Sequence, residues 1–231
     1  MRTFTKDSKM YELVHNNYHL LPVMNRFGIT LGFKDKKVET VCNEKGIDIN
    51  FFLIIVNTFH SDTFFPEDEL KTFSPLLIID YLVKTHKYYV EYVLPKLENL
   101  LDRMIDSSPE NSNELFLIES FYKKYRDELV QHFRDEEEKT FPYASEIYLN
   151  KNSSFDYTIH TYEKEHDNVE EKLNDLKNLI IRHVKPVYDS NLCNEFLITL
   201  LRFERDIHNH SRIEDKILVP QIEEIEKGLH A

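Results

Sequence analysis

Apolar residues recur three and four positions apart through most of this chain, the spacing that lines one face of a helix. Lys9 to Asn16 and Tyr18 to Phe27 carry short stretches of that kind, and Gly28 is a stop. Val38 to Lys45 is a third, closed by Gly46. Asp48 is a good N-cap for a fourth, from Ile49 to about His60. Every residue from Phe51 to Val56 is apolar, so this helix should be buried on most sides. Residues 61–73 break the pattern with Pro66 and a cluster of acids. Ser74-Pro75 then reads as an N-cap followed by proline at the first helical position.

Four long amphipathic stretches follow, at about 75–105, 112–149, 155–183 and 191–227, joined by short polar or proline-containing loops. Pro95 and Pro142 should bend the first two, and Pro220 stands in the last as Pro142 does in the second. Long helices with short connections predict an up-down four-helix bundle. The layout expected is all-α: a small helical domain over 1–62, a linker over 63–74 and the bundle over 75–231. The small domain either caps the bundle or pairs two chains, so a homodimer is one arrangement the layout allows.

Composition narrows the function classes. With 4 Gly and 8 Pro in 231 residues, a turn-rich β protein is disfavoured. The net charge is −12; residues 1–73 are nearly neutral, with 9 basic and 10 acidic residues, and the remainder carries 20 and 31. An acidic body repels phosphate backbones, and no basic recognition face follows the helix–Gly–helix run of 38–59, so nucleic acid is not an expected partner. The longest apolar run, Phe51 to Val56, is too short to span a bilayer. The N-terminal residues have no apolar core of signal-peptide length. Two cysteines far apart, Cys42 and Cys193, fit a reducing compartment. The expectation is a cytoplasmic protein without a membrane partner.

The chemistry lies in a pattern that occurs twice. His132 is followed by Glu136 and by Phe141-Pro142; His210 is followed by Glu214 and by Val219-Pro220. On a helix, positions i and i+4 share a face, so each imidazole and carboxylate can converge on one point. His86 and His166 each stand on one of the remaining helices, 46 residues before His132 and 44 before His210. Antiparallel helices of similar length would bring all four histidines to one level. A lone helical His is usually a packed core residue, and a lone His-x3-Glu is an ordinary surface pair. Two matched copies completed by a His on each other helix are not explained by packing.

Four imidazoles and two carboxylates suit a pair of iron ions, with Glu136 and Glu214 as bridges beside an oxide or hydroxide. Glu128 and Glu165 could offset the remaining positive charge or relay protons. The order of ligands differs from the Glu-x-x-His of ferritin-like bundles. It favours reversible binding or redox over strong oxidation. Zinc remains an alternative, though it prefers closed four-coordinate sites. His15, His19, His60, His160, His183 and His230 have no partner spacing. His208 should point about 200° away from His210 on a helix.

At these residues the chain resembles the hemerythrin-like fold. More closely it is similar to the di-iron proteins for repair of iron centres, which join a short N-terminal domain to such a bundle. The matching motifs are His132-x3-Glu136-Glu137, Glu165-His166-Asp167 and His210-x3-Glu214; His86 matches with flanks shifted by one residue. That family usually carries adjacent cysteines after the second helix of its small domain. Here Gly28 to Asp35 contains no thiol, and Cys42 is single.

The resemblance implies a non-haem di-iron protein of the nitrosative or oxidative stress response. It would act on damaged iron–sulfur proteins by iron release or nitric oxide chemistry. The alternative is an oxygen- or nitric-oxide-binding sensor or carrier without repair activity, which the missing thiols favour. A bundle that holds zinc or iron and carries out no reaction is a third reading.

Overall fold

The computed structural model describes residues 3–108, 113–150, 158–159, 169–184 and 188–229. Among these the fold is all-α, with no strand and one isolated bridge between Lys9 and Lys37. No helix among them is long and apolar enough to cross a membrane. By their contacts, residues fall into two compact units: Met1–Thr85 with Ser211–Gln221, and His86–His210 with Ile222–Ala231.

The first unit is built on short helices: α1 (Met10–Asn16), α2 (Leu20–Arg26), α3 (Val38–Lys45) and α4 (Ile49–His60). Gly46 ends α3 with φ of 67°, a left-handed conformation that glycine adopts without a Cβ penalty. The turn closes with the Ile47 amide donating to the Cys42 carbonyl at 2.9 Å. Asp48 then caps α4, its Oδ1 accepting from the Phe51 amide at 2.9 Å. As the apolar run predicts, Phe51, Phe52, Ile54, Ile55 and Val56 are all buried. Phe27, Phe51, Phe52, Phe73 and Tyr81 form an aromatic cluster around α4, edge-on in every pair but the tilted Phe27–Tyr81.

Residues 61–74 include one helical turn, α5 (Glu67–Leu70). The stretch is tied down: Gln221 Nε2 donates to the carbonyls of Lys71 and Phe73 at 2.9 Å each. The Arg212 guanidinium lies over the Phe65 ring, 4.2 Å from its centroid. The first bundle helix, α6 (Pro75–Tyr88), begins at the predicted proline, with Ser74 Oγ accepting from the Leu76 amide.

The second unit has one core to which four helical segments contribute. Tyr89 to Met104, Leu115 to Phe133, Leu173 to Ile180 and Cys193 to Ile207 each present a buried stripe to it. These lie on the turn Tyr89–Val93 with α7 (Leu94–Asp106), on α8 (Asn113–Asp135), on the helix Val169–His183 (α10) and on Ser190–Ile213 (α11), with α9 (Phe141–Asn150) continuing α8. The periodic apolar pattern dictates this packing, and polar ties adjust it. Tyr122 donates to the Leu94 carbonyl at 2.5 Å, fixing α8 against α7. Exposed pairs such as Lys96–Glu195 contribute little in high dielectric.

Candidate metal centre

Three of the long helices contain a widened turn in which an amide donates to the carbonyl five residues back. These turns are Tyr89–Val93, Glu136–Thr140 and Glu214–Leu218. The closing bonds run from Leu94 to Tyr89, from Phe141 to Glu136 and from Val219 to Glu214. Each turn is followed, two residues on, by a proline: Pro95, Pro142 and Pro220. Proline has no N–H and its ring clashes with the carbonyl four residues back, so the preceding turn opens to relieve it. The prolines expected to kink the helices therefore act by widening them. Two of the turns begin on the predicted carboxylates, Glu136 and Glu214.

The structure brings His86, Glu136 and His210 together. Each offers a ligand atom within 4.8 Å of the others, and all three are buried. His86 Nε2 lies 3.2 Å from His210 Nε2 and 3.3 Å from Glu136 Oε2. The other oxygen of the same carboxylate, Oε1, lies 2.9 Å from His132 Nε2, one turn back on the helix. Glu136 thus divides its two oxygens between two imidazoles, the posture of a carboxylate able to bridge two cations.

The walls are aromatic. Phe133 stacks on His86 at 4.1 Å between centroids and 17° between planes, and Phe141 lies nearly parallel to it at 5.7 Å. Tyr89 meets His210 edge-on, and its hydroxyl donates to Asp206 Oδ1 at 2.7 Å. Asp135, beside Glu136 in sequence, is turned out to Lys139 Nζ at 2.6 Å. That hydrogen bond is the main reason its carboxyl is held below the usual carboxylate range.

Such a lining fits a cation. A buried carboxylate is costly unless its charge is met, and Glu136 is only 1% exposed. Imidazole nitrogen with carboxylate oxygen is a donor set for divalent or trivalent transition metals. The apolar rings lower the local dielectric and limit water access, which strengthens a metal's hold on its ligands.

The other predicted residues are placed as follows. Glu214 is buried on the turn after His210, at the same offset as Glu136 from His132, and by its contacts counts with the first unit. Glu128 is partly exposed and ion-paired with Lys172 at 3.2 Å and Lys124 at 3.8 Å. His166 and Glu165 lie outside the described residues. His208 faces away from His210, with Nδ1 3.0 Å from Glu170 Oε2. Glu137 escaped sequence reasoning as a contributor: its Oε1 is 2.9 Å from His86 Nδ1. Its place in the repeated acidic run was visible, but not the partner on another helix.

The Hemerythrin HHE cation binding domain matches residues 77–225. No curated protein matches the sequence. The match covers every predicted ligand, the three proline-linked turns and the buried imidazole–carboxylate cluster. A match of that extent, over more than half of the chain, establishes that the protein belongs to the hemerythrin family and contains its metal-binding helical bundle.

Proposed function

We propose that this protein holds two non-haem iron ions, bridged by an oxide or hydroxide and by Glu136 and Glu214. In this reading the centre meets nitric oxide or oxygen in a response to nitrosative or oxidative stress. His86, His132, His166 and His210 supply the nitrogen donors. The observation that carries the reading is Glu136, whose Oε1 and Oε2 address His132 and His86 separately. A carboxylate whose two oxygens face different imidazoles can give one oxygen to each of two ions. Glu214 follows His210 as Glu136 follows His132, so the repeat assigns it the equivalent bridge.

Iron in this setting supplies one-electron chemistry and affinity for diatomic ligands. The residues of the chain hold and shield it. Phe133 and Phe141 pack along the His86 ring and keep bulk water from it. Tyr89 and Asp206 lock one another beside His210. Buried donors admit a diatomic gas more readily than a protein side chain. Direct handling of a damaged iron–sulfur protein would therefore use iron released from the site.

Repair of iron–sulfur proteins follows from the resemblance in ligand motifs and two-part layout. The thiols favour a second reading, a sensor or carrier without repair activity. Cys42 and Cys193 are both buried. Burial pushes the Cys42 thiol up to about 11 and raises Cys193 as well. Neither suits transfer of iron or sulfur at neutral pH. The test is to load the protein with iron and add an apo iron–sulfur enzyme. Reactivation faster than with the same free ferrous iron supports repair. No acceleration, together with a reversible absorption change under nitric oxide, supports the sensor or carrier. Neither effect, with an unchanged metal spectrum under both gases, would remove both readings.

A further inference from the structure

We infer that Glu137 is the positioning residue that fixes His86 for metal binding, and that the widened turn before Pro142 puts it there. The inference rests on the metal reading above. His86 uses both of its ring nitrogens. Nε2 faces Glu136 Oε2 and His210 Nε2, while Nδ1 meets Glu137 Oε1 at 2.9 Å. Two consecutive glutamates therefore address opposite sides of one imidazole on another helix.

A regular helix does not favour this. Successive side chains there diverge by about 100°, so a residue next to an inward-facing one points along the flank. Glu136 and Glu137 are the first two residues of the turn Glu136–Thr140, which closes by a bond from the Phe141 amide to the carbonyl five residues back, at Glu136. The wider turn reduces the angle between neighbours and leaves both carboxylates within reach of His86. Their burial differs as the roles require: the Glu136 side chain is 1% exposed and that of Glu137 is 40% exposed. The inner glutamate is a donor to the cation, and the outer one faces the rim.

The chemical consequence concerns the tautomer. A carboxylate on Nδ1 accepts a hydrogen bond from the Nδ1–H, keeps the proton on that nitrogen and leaves the Nε2 lone pair directed at the centre. It also makes the ring a stronger donor and holds its plane nearly parallel to those of Phe133 and Phe141. His86 has no glutamate four residues on; that position is Val90. The histidine without a carboxylate one turn further on receives one from another helix.

Two measurements test the inference, and they fail separately from the metal reading. In the metal-free protein, nitrogen NMR of the His86 ring should show the proton on Nδ1. Glu137→Ala should abolish that preference, and Glu137→Gln, whose carbonyl oxygen can still accept, should keep it. In the second, cobalt(II) and iron(II) affinities are measured by chelator competition. Glu137→Ala should weaken binding about 10- to 100-fold, with an altered cobalt ligand-field spectrum and an unchanged melting temperature of the metal-free protein. Glu137→Gln should recover most of the affinity. A wild-type ring with no proton on Nδ1 would overturn the inference whatever the metal does. So would a Glu137→Ala variant that binds cobalt as tightly as the wild type with the same spectrum. A wild type that binds neither metal would overturn the metal reading, leaving the NMR result to judge the tautomer.

Discussion

His86 Nε2 and His210 Nε2 stand 3.2 Å apart, although 124 residues separate them in sequence. Two nitrogens bound to one ion at about 2.1 Å and about 100° from each other would be about 3.2 Å apart. The two rings are therefore spaced as co-ligands of a single ion. His86→Ala and His210→Ala should each weaken iron(II) binding by about tenfold or more. Shared ligation of one ion predicts that the double variant loses much less than the sum of the two. Chelator competition across the four proteins measures this, and full additivity would assign the rings to different ions.

Glu136 should behave differently from any single histidine. Its oxygens serve two imidazoles, so Glu136→Ala should lower occupancy of both ions, whereas His132→Ala should affect mainly one. Glu136→Gln keeps the shape but removes the charge. It should leave the helix content unchanged while reducing iron binding nearly as far as the alanine variant. Circular dichroism with metal analysis separates these outcomes; normal iron in Glu136→Gln would rule out the carboxylate charge as a requirement.

Removing the metal should destabilise the fold. Glu136 and Glu214 are each only 1% exposed and would be left without a cation. A ligand present at about 1,000 times its dissociation constant stabilises by about 4 kcal/mol. For a chain of this size that corresponds to roughly 10 °C in melting temperature. Calorimetry with and without an iron chelator should register the drop, and the Glu136→Ala variant should show little of it.

Much of this structure is legible in the sequence, for reasons that differ by residue. Gly46 and Asp48 mark a helix end and a helix start because one tolerates left-handed backbone and the other caps an amide, both local effects. The same holds for Ser74-Pro75. The pairing of His132 with Glu136 is legible because helical geometry alone sets it. His86 with Glu137 is not, since 51 residues intervene and only tertiary packing joins them. The prolines were legible as perturbations; that they widen the preceding turns depends on how the helix redistributes its hydrogen bonds. The one turn at Glu67–Leu70 interrupts what reads as linker, because acids in a first turn favour a short helix that composition disguises.

Cys42 supplies a test of the small unit. A thiol held at about 11 is only about one-thousandth ionised at pH 8, against roughly a tenth for a cysteine at the ordinary 9.0. Thiol reagents should therefore react slowly with the folded protein and rapidly after denaturation. The sign for stability follows. The folded pKa lies above the ordinary 9.0, so this contribution is complete below about pH 9 and is lost as pH rises toward 11. Rapid labelling of Cys42 at pH 8 in folded protein would contradict its burial.

Asp48→Ala should cost about 1 kcal/mol by freeing the Phe51 amide. The melting temperature should fall by a few degrees, with iron content unchanged, because the lost bond is local to the start of α4 and Asp48 is not among the proposed ligands. Urea unfolding and metal analysis of the same sample check both halves.

The most direct test of the central claim is metal content by mass spectrometry on protein produced with iron available. The account predicts about two irons per chain, with a clear fall in both His132→Ala and His210→Ala. One zinc per chain, or iron content indifferent to those substitutions, would contradict it.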